Sequence, residues 1–251
     1  MKKALGVIPA RLGSSRFPGK PLAEFFGKTM IEHTYAAAAA ATSLHKVVVA
    51  SDSEQILRVI ECVGGATMLT GECATGTDRI VQALRRMDPS ELSEYDIVVN
   101  IQGDEPGVNP KHIDRCVAAL RREPSSVMST LATPIVDERE ATSRDVVKCV
   151  ADQFGNALYF SRAMIPHSKD GKFSPSVLYL RHVGMYAFRK EFLLQFPSLP
   201  RSPLEDSEDL EQLRVLSAGH RIQLVTVDGT LPSVDTQADL EALKAQWPTT
   251  S

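Results

Sequence analysis

The chain has 251 residues, room for one large domain or for a domain with an insertion. Its 43% hydrophobic and 24% charged content excludes a disordered chain and a coiled coil, and its net charge of −3 gives no nucleic-acid footprint. That charge is uneven: residues 1–28 hold Lys2, Lys3, Arg11, Arg16, Lys20 and Lys28 against Glu24, a local cationic excess that suits an anionic ligand.

Residues 4–8 are a short apolar run closed by the Pro-, Gly- and Ser-rich stretch 9–21, the pattern of a buried strand feeding a functional loop. The start mimics a secretory signal, but Pro9 and Arg11 cut its apolar region short. Residues 29–42, with Met30, Ile31 and an alanine run, predict a helix lying close on a sheet. The longest apolar run, Tyr35 to Ala41, is seven residues, far short of a membrane span. Residues 46–51 predict a second strand, 53–63 a helix ended by Gly64-Gly65, 66–69 a weaker third strand and 77–87 a helix with Ile80, Val81 and Leu84 inward. Residues 96–101 are the strongest strand in the chain, and Pro110 opens a helix to 122. This β-α alternation over the first ~125 residues predicts an α/β fold with a parallel sheet covered on both faces, which binds ligands at the carboxyl ends of its strands.

The pattern then changes. Segments 127–136, 146–152, 156–160 and 183–188 read as strands, with Phe154-Gly155-Asn156 as a hairpin turn. Helices 204–217 and 236–246 flank a strand at 222–227. In the first of these helices an acidic run suggests a solvated face, with Leu210, Leu213 and Leu216 as the buried stripe. The whole reads as one domain with a mixed β elaboration. Cys62, Cys73, Cys116 and Cys149 stand apart without a Cys-x-x-Cys pair, which is the usage of free thiols in a reducing compartment, so a soluble cytoplasmic protein is expected.

The chemistry concentrates in Pro9-Ala10-Arg11-Leu-Gly-Ser14-Ser-Arg16-Phe-Pro-Gly-Lys20-Pro-Leu. Three cations among small residues that allow close backbone approach form a cradle for a triphosphate. The stretch is neither a P-loop nor a dinucleotide fingerprint, which disfavours a nicotinamide-dependent dehydrogenase. Asp104, in Gln102-Gly103-Asp104-Glu105-Pro106, follows the strongest strand and so stands at the ligand-binding edge, where a carboxylate can hold Mg²⁺ between phosphate oxygens. By themselves, Gly103-Asp104 reads as a turn and Asp235-Thr236 as a helix cap.

The cationic loop resembles the signature of the sugar nucleotidyltransferases and, in its details, that of the 3-deoxy-manno-octulosonate (Kdo) cytidylyltransferases. The resemblance continues through Gly76-Thr-Asp-Arg79, Gln102-Gly-Asp-Glu-Pro106, Tyr159-Phe-Ser-Arg162, Arg181-His-Val-Gly-Met-Tyr186, Leu210-Glu-Gln-Leu-Arg214 and Val234-Asp-Thr236, seven blocks in family order across nearly the whole chain. It implies a Rossmann-like three-layer α/β/α nucleotidyltransferase fold. The single domain would comprise a nucleotide-binding half (1–125), a β-rich sugar-binding and dimerisation elaboration (126–235) and a C-terminal helix (236–246).

The implied reaction is transfer of CMP from CTP to the anomeric hydroxyl of Kdo, giving CMP-Kdo and pyrophosphate for lipopolysaccharide biosynthesis. The cofactor would be Mg²⁺ on Asp104 and Asp235, the assembly a homodimer, with no nucleic-acid or membrane partner. By the same resemblance Lys20, Arg11, Asp104 and Asp235 are catalytic. Ala10, Arg11, Ser14, Arg16, Lys20, Thr75 and Gly76 meet the nucleotide. Arg79, Gln102, Arg162, His182, Tyr186, Glu211 and Gln212, with Arg181 beside them, meet the sugar acid. One block departs from the family: Thr75 stands where Ser is usual, although it keeps the hydroxyl. An 8-amino Kdo analogue, sialic acid or a sugar 1-phosphate as acceptor stays open, as does, from another class, a non-catalytic nucleotide-binding protein.

Overall fold

A computed structural model describes residues 2–13 and 16–247. Its elements run in chain order β1 (Lys3–Ala10), β2 (Glu24–Phe25), β3 (Lys28–Thr29), α1 (Met30–Ala39), β4 (Leu44–Ser51), α2 (Glu54–Cys62), β5 (Ala66–Leu69), α3 (Gly76–Arg86), α4 (Pro89–Ser93), β6 (Tyr95–Asn100) and α5 (Pro110–Arg122). There follow β7 (Ser126–Ile135), α6 (Glu138–Thr142), β8 (Lys148–Ala151), β9 (Ala157–Ser161), β10 (Tyr179–Arg189), α7 (Lys190–Gln195), α8 (Pro203–Glu208), α9 (Gln212–Ser217), β11 (Arg221–Thr226) and α10 (Gln237–Gln246). The chain divides into two compact units, residues 1–114 with 230–251 and residues 115–229.

In the first unit the strands lie in the order β6-β1-β4-β5, all parallel. Side chains of a strand alternate between faces, yet Ala4 to Ile8, Val47 to Ser51 and Ile97 to Asn100 are buried almost without a break. Neither sheet face is therefore open, as expected of a parallel sheet between helices. Ile31 of α1, Ile56 and Ile60 of α2 and Ile80 and Leu84 of α3 are wholly buried. Capping boxes open α1 and α3, with Thr29 paired to Glu32 and Thr75 to Asp78.

The second unit has β11 parallel to β7, β10 antiparallel to β7, and β8 antiparallel to both β10 and β9. The hairpin turn falls where the sequence places it. Gly155 has φ 81°, and the Asp152 carboxylate accepts from the amides of Phe154 and Asn156, each at 2.8 Å. The strand read at 183–188 begins earlier, at Tyr179, and its pairing with β7 slips between Val183 and Tyr186, at Gly184-Met185.

The reading of residues 204–217 is corrected in three respects. The single helix over 204–217 is two, because Asp209 takes the left-handed conformation (φ 52°) at the end of α8. Arg162 fixes the break: its Nε donates to the Glu208 carbonyl at 2.7 Å and its backbone amide to the Glu208 carboxylate at 2.9 Å. The acidic run is not wholly solvated either, since Glu205 is 2% exposed and accepts from Arg214 Nε at 2.8 Å. Leu210 and Leu213 are buried as expected, but Val215 rather than Leu216 completes the stripe.

Candidate active site

The loop after β1 ends in a 3-10 turn at Lys20–Leu22, opened by Gly19 in the left-handed region (φ 69°). That turn aims Lys20 back along the carboxyl edge of the parallel sheet. Its Nζ lies 2.9 Å from Asp104 Oδ2 and 3.2 Å from Asp235 Oδ1, and the side chain is only 12% exposed. Arg16 adds a second cation to Asp235 at 3.2 Å. Two carboxylates from distant segments thus meet on one ammonium, and their own repulsion is offset by it.

Glycine makes this convergence possible. A Cβ at Gly103 would stand 2.9 Å from the Pro9 carbonyl, so the turn after β6 can pass the end of β1 only without a side chain. A Cβ at Gly107 would meet Leu231 Cδ1 at 2.5 Å, where the segment before Asp235 comes alongside. The Val234 amide donates to the Asp104 carbonyl at 3.0 Å, so the two acid-bearing segments are also joined through backbone.

Around this pair lies a cleft of about 290 Å³, lined by both carboxylates, Ala10, Arg11, Arg16, Lys20, Thr75, Gly76, Arg79 and Gln102. Every described residue assigned to the catalytic and nucleotide sets is therefore brought together; Ser14 lies outside the described residues. Arg11 is exposed and lines the cleft. Thr75 spends its hydroxyl on the α3 cap, accepting from the Asp78 amide at 3.1 Å and donating to its carboxylate at 3.0 Å. Arg79 is 3% exposed and is committed to Asp52 at 2.8 Å and Thr70 at 2.5 Å.

The cleft also contains Pro9, Gly13, Pro21, Cys73, Ala74 and Gly103, to none of which the sequence assigns a site role of its own. Gly103 reads in the sequence only as a turn residue, and its place in the cleft comes from the close pass over Pro9. Asp52, which anchors Arg79, sits just past the carboxyl end of β4, where the strand-end rule could have found it. Desolvation, the largest influence on Cys73, raises its pKa above the usual thiol value and so disfavours a thiolate nucleophile.

The other residues assigned to the sugar belong to the second unit. Arg162 is spent on α8 as described. His182 Nε2 is 2.9 Å from Thr130 Oγ1, and desolvation lowers its pKa to about 3, so it is neutral across the physiological range. Its ring lies 5.0 Å from Phe160 and 5.5 Å from Tyr186. Tyr186 donates its hydroxyl to Gln212 Oε1 at 3.4 Å, Glu211 precedes α9 as its N-cap, and Arg181 pairs with Glu140 at 3.3 Å.

No group of three or more His, Cys, Asp or Glu suited to a metal occurs among the described residues. The pair Asp104 and Asp235 offers oxygen donors only, which is hard-cation chemistry and leaves room for ligands from phosphate. The residues fit Mg²⁺ on those terms.

The family model for cytidylyltransferases matches residues 5–222. A 3-deoxy-manno-octulosonate cytidylyltransferase of Protochlamydia amoebophila is 45% identical over 97% of this chain and 93% of its own length. The chain belongs to the 3-deoxy-manno-octulosonate cytidylyltransferase family. A member from Zea mays is 44% identical over 97% of this chain and 80% of its own. A solved CMP:2-keto-3-deoxy-manno-octonic acid synthetase complexed with CTP superposes with a TM-score of 0.90 at 38% identity, covering 97% of this chain and 98% of its own. A 4-diphosphocytidyl-2C-methyl-D-erythritol synthase from Anaerococcus prevotii, at 15% identity and a TM-score of 0.64 over 98% of each chain, shares the fold alone. The α/β fold with a parallel sheet, expected from the β-α alternation, and the nucleotidyltransferase fold that the resemblance implies are thus those of this cytidylyltransferase family.

Proposed function

We propose that this protein transfers CMP from CTP to the anomeric hydroxyl of Kdo, releasing pyrophosphate. The observation that carries the reading is Lys20 between Asp104 and Asp235 at the sheet edge, in a cleft where Arg11 and Arg16 add further positive charge. A protein of this family with both carboxylates, the ammonium and the cationic loop in place has the parts that phosphoryl-type transfer requires: positioning and charge neutralisation.

In the reaction the anomeric oxygen forms a bond to the α-phosphorus of CTP as the bond from that phosphorus to the oxygen bridging to the β-phosphorus breaks. The hydroxyl proton is lost, and the electron pair leaves with pyrophosphate. Arg11, Arg16 and Lys20 offset the charge of the triphosphate and of the departing pyrophosphate. Asp104 and Asp235 would hold Mg²⁺, which when bound lowers the pKa of a coordinated hydroxyl and screens phosphate charge. The neutral His182, with Tyr186, Glu211 and Gln212, supplies hydrogen-bonding groups of the kind a polyhydroxy acid needs, and Arg181 a cation for its carboxylate.

A homodimer in the cytoplasm is part of the same proposal. Val136 (87% exposed), Phe154 (72%) and Leu178 (66%) give the second unit apolar surface that a second copy would cover. No helix among the described residues is long and apolar enough to cross a membrane. A pyrophosphate-release panel crossing four nucleoside triphosphates with Kdo, its 8-amino analogue and sialic acid tests the reaction. Release with CTP and Kdo together, and not with either alone, is expected; release requiring a different pair overturns the assignment.

A further inference from the structure

Asp235 is held from both sides along the chain. Upstream, the Val234 amide is tied to the Asp104 carbonyl. Downstream, a single oxygen of Asp239 accepts from the Asp235 amide at 3.0 Å, the Thr236 amide at 2.8 Å and the Thr236 hydroxyl at 2.9 Å. The Asp239 amide returns a bond to the Thr236 hydroxyl at 3.2 Å. A capping box usually satisfies the cap and one further donor. This one also captures the amide of the residue before the cap, which is the site carboxylate itself.

Helix α10 carries the restraint away from the cleft. Leu240 and Leu243 are buried with Val234, Phe25 and Met30, and Phe17 of the cationic loop packs against the same cluster. At the far end, roughly 15 Å along the axis for ten residues at 1.5 Å each, Trp247 lies 5.0 Å edge-on to Phe25 and 4.9 Å from His33. The small core therefore joins the loop that carries Lys20 to the helix that follows Asp235.

We propose that Asp239 is a positioning residue for the transfer reaction: it fixes the backbone from which Asp235 projects, and the packing of α10 down to Trp247 fixes Asp239. The inference rests on the reading of Asp235 as a cation-holding carboxylate. Asp239 acts here as an acceptor, so an amide oxygen at its place serves nearly as well as a carboxylate, whereas a methyl group does not.

The test uses the full chain with Asp239→Ala, Asp239→Asn, Trp247→Ala and Trp247→Phe. Three quantities are measured: kcat and KM for pyrophosphate release, Mn²⁺ affinity of the CTP-saturated protein by electron paramagnetic resonance without sugar, and thermal midpoint. Asp239→Ala is expected to lower kcat about tenfold and weaken Mn²⁺ binding several-fold at temperatures where it is fully folded, with KM for Kdo within about twofold; such a factor corresponds to about 1.4 kcal/mol. Asp239→Asn is expected within about threefold of wild type, and Trp247→Phe restores most of what Trp247→Ala loses. Wild-type kcat and Mn²⁺ affinity in Asp239→Ala would overturn the proposal, as would an Asp239→Asn as impaired as Asp239→Ala. If the unaltered protein releases no pyrophosphate from CTP and Kdo, the functional reading fails, while the sugar-free Mn²⁺ titration still decides the positioning role.

Discussion

Lys20 balances two carboxylates that would otherwise repel each other across the cleft. Lys20→Met removes that balance and one cation facing the triphosphate. It should raise KM for CTP and lower kcat together, each by roughly tenfold, since charge-assisted contacts contribute about 1.5–3 kcal/mol; steady-state kinetics in CTP checks this. His182 contributes differently. Desolvation keeps its folded-state pKa near 3, below the ordinary 6.5. Between those values the unfolded chain binds a proton that the folded chain does not, so this part of the stability is complete above about pH 6.5 and is lost as the pH falls towards 3. Urea midpoints from pH 7 to 4 should fall less steeply in His182→Gln than in the native protein.

At the scale of elements, the residues that carry chemistry were the easier ones to read. The strand β1, its Pro/Gly loop and the strand β6 are short apolar runs ended by turn residues, and those local signals decide the backbone whatever surrounds it. The division of 204–217 into α8 and α9 was hidden because its cause is distant in sequence. Leu210, Leu213 and the charged residues fit one amphipathic helix, while the carbonyl groups that Arg162 captures belong to Glu208 and Asp209. For the same reason Arg79 could be placed at a helix start but not recognised as buried, since its partners Asp52 and Thr70 come from other segments. The assignment of Arg162, His182, Tyr186, Glu211 and Gln212 to one sugar site came from family resemblance, because no spacing in the sequence joins them. Arg162→Ala leaves the end of α8 uncapped and should cost about 1–2 kcal/mol, read as a lower urea midpoint with an unchanged m-value.

For the molecule as a whole, four free cysteines act as reporters of the packing. Cys62 is exposed and should react with a disulfide reagent within the mixing time, whereas Cys116 and Cys149, whose pKa values burial pushes up to about 11 and about 12, should react only on unfolding. Cys73 lines the cleft, so its slower labelling should be suppressed by CTP; labelling indifferent to CTP would place the nucleotide elsewhere. The parallel sheet of the first unit gathers Lys20, Asp104 and Asp235 because each follows or approaches a strand end at one edge, which is where such sheets bind ligands. The most direct measurement of that arrangement follows the fate of CTP labelled at its α-phosphorus, incubated with Kdo and either the native protein or Asp104→Asn. The account predicts label in the sugar product, formed at least ~100-fold more slowly by the variant, as for loss of one preorganised electrostatic group. Label that never reaches the sugar, or a correctly folded variant that transfers it at the native rate, would contradict it.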